Sequence, residues 1–294
     1  MNTASTDKPT VLILGGTTGL LGQAIAHEAA GRGYAVVASS RDDFDTNDSE
    51  ALAAYIGKIK PDLICNTIAY TQVDKAEEDE KNALLLNRVF PRFLARIVKA
   101  HPHIYLMHFS TDFVFNGRKT KPYTTMDEPD PQSVYGKSKL AGEQAILEQN
   151  LEKFAIIRTA WLFGPGKKNF VQTILGLSTC RPNINVVFDQ IGSPTYTPDL
   201  AAYSLDVYEA KGQGLFHIVN SGIASWCDLA AEVVRLSQLE CTVNPIPSSE
   251  YPQKALRPAY SVLETSRLTE VTGVSPRPWP TALADYIYTI TSPL

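Results

Sequence analysis

A short β-branched run, Thr10-Val-Leu-Ile-Leu14, stops at Gly15-Gly-Thr-Thr-Gly-Leu-Leu-Gly22 and leads straight into an apolar-periodic stretch through Ile25, Ala29 and Ala30. The pattern predicts a strand, a tight glycine turn and a helix in immediate succession. Few folds accept that order so early in a chain. Gly16, Gly19 and Gly22 stand three apart, which differs from the usual G-x-G-x-x-G spacing but does the same physical work. Without side chains, backbone amides can approach a pyrophosphate, and the helix N-terminus adds partial positive charge. The plain alternative is a glycine-rich loop with no ligand. The strand before it and the helix after it are what phosphate binding demands.

Further apolar runs follow at Ala35–Ala38, Leu63–Cys65, Ile104–Phe109 and Ala155–Ile157, separated by helical periodicity over Ala83–Lys99 and Lys137–Leu147. This alternation predicts an α/β fold, a Rossmann-type doubly wound parallel sheet. Such sheets bind ligands beyond the carboxyl ends of their strands. The glycine turn, Asn66–Thr71, Ser110–Asp112 and Thr159–Trp161 all follow strand candidates there. Beyond Trp161 the texture changes, with Gly164-Pro-Gly166, Arg181-Pro182, Gly192-Ser-Pro194 and many later prolines interrupting shorter elements. The expected division is a dinucleotide-binding domain over 9–160 and a smaller, loop-rich C-terminal substrate domain over 161–294. The runs Asn185–Phe188 and Leu215–Val219, within a region near 185–220, are expected to return to the main sheet.

Composition narrows the function classes. A chain of 294 residues with net charge −4 and no Lys/Arg block lacks the electrostatic footprint that nucleic acid or an anionic membrane requires. Apolar runs are strand-sized, and Met1–Pro9 has no hydrophobic signal core, so neither export nor membrane insertion is expected and the cytoplasm is the default. Cys65, Cys180, Cys227 and Cys241 are scattered without a C-x-x-C, which suggests reduced fillers rather than disulfides or zinc. His27, His101, His103, His108 and His217 show no ligand spacing. Glu77-Glu-Asp-Glu80 suits the positive end of a helix better than a metal cluster.

Tyr135 and Lys139 lie four apart in Ser133-Val-Tyr-Gly-Lys-Ser-Lys-Leu-Ala-Gly-Glu143, which on a helix puts phenol and ammonium on one face. A phenol of reference pKa about 10 must fall roughly three units, about 4 kcal/mol, to shuttle protons near neutrality. One cation about 4 Å away at an effective dielectric near 20 supplies that much. A Tyr and a Lys at this spacing also occur on ordinary helices, where they are minor stabilisers.

Together with the glycines and Thr111, this pair resembles an extended short-chain dehydrogenase/reductase. The blocks Asn66–Glu77, Ser110–Phe115, Val134–Glu143, Arg158–Trp161, Asn169–Val171, Asp189–Thr195 and Arg257-Pro258 are similar in content and order to those of the dTDP-4-dehydrorhamnose reductase family. The resemblance implies an NADPH-dependent oxidoreductase that reduces the 4-keto group of a dTDP-linked 6-deoxy sugar. It implies Tyr135 as proton donor, Lys139 as the holder of the nicotinamide ribose and tuner of the phenol, and Thr111 as hydrogen-bond partner of the reacting oxygen. Thr111, Asp112 and Trp161 would touch the nucleotide sugar, with Asn169 and Arg257 as further substrate contacts. Gly16, Gly19, Leu20, Leu21, Gly22, Asp45, Thr46, Ala69, Tyr70 and Thr71 would line the cofactor. Trp161 also reads as plain core, and Arg257 either forks onto a phosphate or braces the Pro-rich tail.

Two departures bear on ligands. After the second strand, Ala38-Ser-Ser-Arg-Asp42 offers Ser39 or Ser40 with Arg41 for a 2′-phosphate in place of an acid that would repel it, favouring NADPH, with NADH left possible by Asp42. Some members of the family join subunits through a carboxylate-bound magnesium just after the glycine turn, where this chain has Gln23. No metal site is therefore expected, and a monomer or a homodimer remains open. Two alternatives stay beside the reductase reading: a regulatory subunit resembling the β subunit of methionine adenosyltransferase, and a reductase of a different nucleotide-linked keto-sugar.

Overall fold

A computed structural model describes residues 8–291; the segment 1–7, on which the expectation about export partly rests, lies outside the described residues. The chain opens with β1 (Thr10–Leu14), α1 (Leu20–Gly31), β2 (Ala35–Ala38), α2 (Ser49–Ile59) and β3 (Leu63–Asn66). A short α3 (Val73–Ala76) precedes α4 (Glu80–Leu84), which runs through a π-helical turn at Leu85–Val89 into α5 (Phe90–Lys99). Next come β4 (Tyr105–Thr111), a 3₁₀ turn at Asp112–Val114, α6 (Val134–Leu147), β5 (Phe154–Thr159), β6 (Leu162–Phe163), α7 (Phe170–Ser178) and β7 (Asn183–Val187). The remainder comprises β8 (Ile191–Gly192), β9 (Thr195–Tyr196), α8 (Thr197–Glu209), β10 (Gly214–His217), β11 (Ala224–Ser225), α9 (Trp226–Leu236), β12 (Thr242–Ile246), α10 (Ser266–Thr272) and α11 (Trp279–Thr291).

Six strands form one parallel sheet in the order β10-β5-β4-β3-β1-β2. Alternate residues of each strand serve opposite faces, because side chains along a strand point to the two sides in turn. Val11 and Ile13 pack with Ile25, Ala29, Leu200 and Ala201 of α1 and α8. Leu12 and Leu14 pack with Leu52, Phe90, Leu94 and Ile146 of α2, α5 and α6. With both faces covered the central strands are mostly apolar, polar residues gathering toward their carboxyl ends, and each buried Leu, Ile or Val contributes roughly 1.5–3 kcal/mol. The order of strand addition reverses between β1 and β3, since β1 leads outward to β2 and β3 lies parallel on its other side. That reversal opens a crevice beyond their carboxyl ends.

A separate core joins Phe163, Val171, Ile174, Ile184, Val186, Leu229, Val233, Leu283 and Tyr286 from α7, β7, α9 and α11. The expected return of Leu215–Val219 to the main sheet is observed in β10, which pairs with β5. The expected return of Asn185–Phe188 is corrected: β7 pairs instead with β12 in a two-stranded parallel sheet. Its alternation of exposed Asn183 and Asn185 with buried Ile184 and Val186 gives it only one apolar face, and a central position in a covered sheet needs two.

Candidate active site

The glycine turn is compact because its members stack on one another. Gly15 has φ +81°, and a Cβ on Gly22 would lie 2.7 Å from the Gly15 carbonyl oxygen and 2.9 Å from the Gly16 Cα. Gly19 caps α1 without a side-chain bond and the first turn carries no acid, so the amides of Leu20, Leu21 and Gly22 keep the unpaired donors of a helix start. Leu21 buries its side chain in the core and can serve an anion only through that backbone. These features fit a dinucleotide pyrophosphate.

Ser39 is a correction. It is fully buried, and its hydroxyl accepts the Gly15 N–H at 3.1 Å, so it braces the glycine turn and cannot reach a 2′-phosphate. Ser40 donates to Asp43 at 2.9 Å, and its backbone and hydroxyl bonds hold the Asp43 carboxyl below the usual range. Arg41 is exposed and remains the cation available there. In the following loop Phe44 anchors against Phe90, Asp45 is exposed and accepts from Asn47, and Thr46 is half-buried.

After β3 the chain is held from both sides. Thr67 donates its hydroxyl to the Leu14 carbonyl at 2.7 Å, which joins the ends of β1 and β3. Asn87, fully buried on the π-helical turn, accepts the Tyr70 N–H at 2.9 Å and donates to the Tyr70 carbonyl at 3.1 Å. The same amide donates to Ser138 Oγ at 2.9 Å, and Ser138 donates to the Tyr135 carbonyl at 2.7 Å. The loop Ala69–Thr71 is thereby coupled to α6. Glu77 accepts the Val134 N–H at the start of α6, and Asp79 accepts the Tyr70 hydroxyl, so these acids precede α4 as structural acceptors.

Ser133 caps α6 through its bond from the Gly136 N–H, which sets Tyr135 and Lys139 on one stripe of that helix. Lys139 is buried and donates to the Phe109 carbonyl at 2.6 Å. Burial lowers its pKa to about 8, opposed by Glu143. The phenol of Tyr135 is pushed up to about 12 by burial, with the Thr111 hydroxyl pulling down and Asp112 pushing up. The expected lowering of the phenol by Lys139 is not what results: burial dominates and leaves the phenol raised. A raised phenol stays protonated near neutrality and is in the state an acid needs to quench an alkoxide.

Thr111 ends β4, accepts the Phe113 N–H at 3.2 Å and donates to Asp112 Oδ1 at 3.0 Å. Asp112 is buried, its Oδ2 has no partner, and burial raises its carboxyl to about 6 against the hydroxyls of Ser261 and Thr111. Beside Thr111 that oxygen is open to a hydroxyl donor, either the neighbouring Ser261 or a group from outside.

Trp161 adopts φ +49°, a left-handed conformation that is strained for a bulky side chain, by about 1–3 kcal/mol. Its indole stacks on Trp226 with ring centroids 3.6 Å apart, and Trp226 in turn meets Phe170 at 4.6 Å. A Cβ on Gly192 would come within 2.6 Å of that indole, which accounts for the glycine in the Asp189–Thr195 block. Both indoles are half-buried.

Two expected substrate contacts have partners within the protein. Asn169 caps α7, accepting from Gln172 N–H and donating to the Gly164 and Lys167 carbonyls and the Tyr286 hydroxyl, which commits its amide hydrogens to the fold. Arg257 forks onto Asp74, with Nη1 at 3.0 Å and Nη2 at 2.8 Å. Of the two roles open to it, bracing is the one observed. The sequence reading missed Asn87, Trp226 and Asp74. Spacing of four from Lys139 was a usable signal for Glu143, whereas nothing local announces a π-helical turn.

Comparison with known proteins adds the following. The family model of the RmlD substrate binding domain matches residues 9–292. The chain is 37% identical over 270 residues to a Streptomyces niveus protein named dTDP-4-keto-6-deoxy-D-glucose reductase, covering 91% of this chain and 93% of that one. A crystal structure of a dTDP-4-dehydrorhamnose reductase from Clostridium acetobutylicum superposes with TM-score 0.92 at 37% identity, covering 96% of this chain and all of the other. The corresponding Bacillus anthracis enzyme, solved in complex with NADP, superposes with TM-score 0.91 at 31% identity over 96% and 99% of the two chains.

Proposed function

The chain belongs to the dTDP-4-dehydrorhamnose reductase family, and from that membership we propose that it catalyses the NADPH-dependent reduction of the 4-keto group of dTDP-4-dehydro-L-rhamnose to dTDP-L-rhamnose. NADPH, when bound, supplies the hydride. The glycine turn and the N-terminus of α1 hold its pyrophosphate, Asp45, Thr46 and Ala69–Thr71 line its path, and Arg41 meets the 2′-phosphate. Lys139 serves the nicotinamide ribose. Tyr135 gives its phenolic proton to the sugar oxygen as the carbonyl carbon is reduced, and Thr111 hydrogen-bonds that oxygen.

The observation that carries this reading is the packing of α6 on the end of β4: Tyr135 meets Phe113 edge-on with ring centroids 5.5 Å apart, Thr111 accepts the Phe113 N–H, and Lys139 donates to the Phe109 carbonyl two residues before Thr111. Asp112 and Trp161 contact the sugar nucleotide, Asp112 through its unpaired oxygen and Trp161 through its ring face. Residues 9–160, completed by α8 and β10, bind the cofactor; most of 161–294 binds the substrate. Among the described residues no helix is long and apolar enough to cross a membrane. We place the protein in the cytoplasm, as a monomer or a homodimer.

The Streptomyces niveus relative favours a second reading in which the substrate is another dTDP-linked 4-keto sugar. The test is loss of dihydronicotinamide absorbance with purified protein and a panel of dTDP-, UDP- and GDP-linked keto sugars, with NADPH and NADH compared. Turnover fastest with dTDP-4-dehydro-L-rhamnose and NADPH is expected. Turnover fastest with another sugar replaces the substrate. No turnover with any, together with tight binding to a methionine adenosyltransferase, replaces the enzyme by the regulatory reading.

A further inference from the structure

Beneath Tyr135 and Lys139, one turn deeper on the same stripe of α6, Glu143 is a buried carboxylate that the reaction itself does not use. It receives Arg158 as a fork, Nε at 2.9 Å and Nη2 at 2.6 Å, and accepts the Ser110 hydroxyl on the oxygen that Nε contacts. Ser110 and Arg158 are directly paired across β4 and β5. Three elements therefore meet on one carboxylate. Lys139 grips the Phe109 carbonyl on the same strand, one residue before Ser110, and Thr111 follows one residue after.

We propose that Glu143 is a positioning residue of the reductase, fixing α6 against the strand that carries Thr111 and acting as the buried counter-charge that keeps Lys139 an ammonium for cofactor binding. The inference rests on the reductase reading for its purpose, although its test does not require turnover.

The groups facing Lys139 are few. On α6 they are Tyr135 and Glu143. From β4 come the Phe109 carbonyl, Ser110 and His108, whose imidazole burial and the nearby ammonium hold neutral. The 3₁₀ turn contributes Asp112, β5 contributes Arg158, and the π-helical turn contributes the uncharged Asn87. Among these charges Glu143 is the one that supports the cation against burial. Arg158 is turned to Glu143 and to the Phe115 ring, 5.0 Å away. Without the carboxylate, desolvation acts on Lys139 unopposed, and the ammonium is lost at lower pH.

The experiment measures NADPH affinity from nicotinamide fluorescence between pH 6 and 10 for four proteins: the natural chain, Glu143→Gln, Glu143→Gln with Arg158→Met, and Ser110→Ala. Affinity of the natural chain should fall as pH rises through about 8, where Lys139 loses its charge. In Glu143→Gln the midpoint should move down by about one unit, so that affinity near pH 8 drops by roughly fivefold relative to the natural chain. The double variant removes the unpaired arginine that could unfold the single one; because it also removes a cation facing Lys139, its downward shift should be smaller than that of the single variant. Ser110→Ala loosens the clamp but leaves the charge, and its midpoint should stay in place while its Tm falls. A midpoint unchanged in folded Glu143→Gln, or, where that variant does not fold, a midpoint in the double variant no lower than that of the natural chain, overturns the proposal whatever happens to activity. Failure to reduce any keto sugar, with the shift present, would instead strike only the reductase reading.

Discussion

Arg257 and Asp74 form a two-pronged ion pair between the Pro-rich segment near the C-terminus and the short helix that follows the cofactor loop, with Nη1 and Nη2 at 3.0 and 2.8 Å from the two carboxylate oxygens. Asp74 also accepts the backbone N–H groups of Lys254 and Ala255, and Lys254 pairs with Glu78. One aspartate thus fastens residues 254–257 to the other half of the molecule. These residues lie about 180 positions apart in sequence.

Asp74→Asn should release this strap. Arg257, chiefly, holds the carboxyl at about 2, below its unfolded value of about 3.9. A carboxyl depressed on folding contributes stability above the unfolded value and loses it as pH falls through the folded one. The natural chain should therefore lose this contribution between about pH 4 and 2, and Asp74→Asn should lack that part of the acid transition. Partial exposure of Asp74 keeps the gain small. The larger effect expected is on the substrate KM, raised several-fold with kcat little changed, checked by steady-state kinetics beside acid unfolding curves.

Tyr135→Phe should bind NADPH as the natural chain does and lose turnover by about 10²–10⁴, the usual contribution of a positioned proton donor. Because burial pushes the phenol up to about 12 and lowers Lys139 to about 8, the alkaline fall in kcat/KM should follow the lysine and not the tyrosine. Parental turnover in Tyr135→Phe would remove the donor assignment.

The sequence spelled out the sheet and the positions of its ligand-binding ends well, because strand-turn-helix order and the β1 glycines are local signals that burial on both faces enforces. The placing of Tyr135 and Lys139 on one helix stripe and of Thr111 at a strand end was legible for the same reason. What failed was long-range. Ser39 looked free for a phosphate until the Gly15 amide claimed it, and Asn169 looked like a sugar ligand until helix α7 needed a cap. The phenol's pKa is set chiefly by burial, and the Phe109 carbonyl that Lys139 bonds lies 30 positions away from that lysine. Partners of that kind are fixed by packing and leave no pattern in the chain.

Gly142→Ala tests the packing directly. Helix propensity alone favours alanine by roughly 1 kcal/mol. A Cβ there, however, would lie 2.0 Å from the Asn87 carbonyl oxygen, which is backbone of the π-helical turn and cannot swing aside. Overpacking of that order costs about 1–3 kcal/mol or more. Sterics should win, with Tm lowered by roughly 2–4 °C for each kcal/mol lost. A thermal melt with Tm unchanged or raised would mean that the turn yields.

Arg41→Ala should raise the Kd for NADPH by about tenfold and leave that for NADH within a factor of two, since one guanidinium on a phosphate is a charge-assisted pair worth about 1.5 kcal/mol at an exposed site. With Ser39 buried and Ser40 bonded to Asp43, no serine hydroxyl replaces it. Titrations of both cofactors decide the matter. Equal weakening of both would end the 2′-phosphate assignment.

Asp112→Asn probes the orphaned carboxylate oxygen. Burial raises this carboxyl to about 6, and a group raised above its unfolded value of about 3.9 adds stability at low pH that is lost as pH rises through about 6. The protonated acid is thus the better-folded form. The carboxylate is the better acceptor for a substrate hydroxyl. Binding and folding therefore pull the proton in opposite directions. The natural chain should lose kcat/KM as pH falls through about 6, with KM carrying most of the change, while Tm holds or rises. Asp112→Asn, uncharged at every pH, should flatten that acid limb and raise KM by roughly tenfold at neutrality, because a neutral amide replaces a charged acceptor. An acid limb that survives in Asp112→Asn would assign the titration to another group.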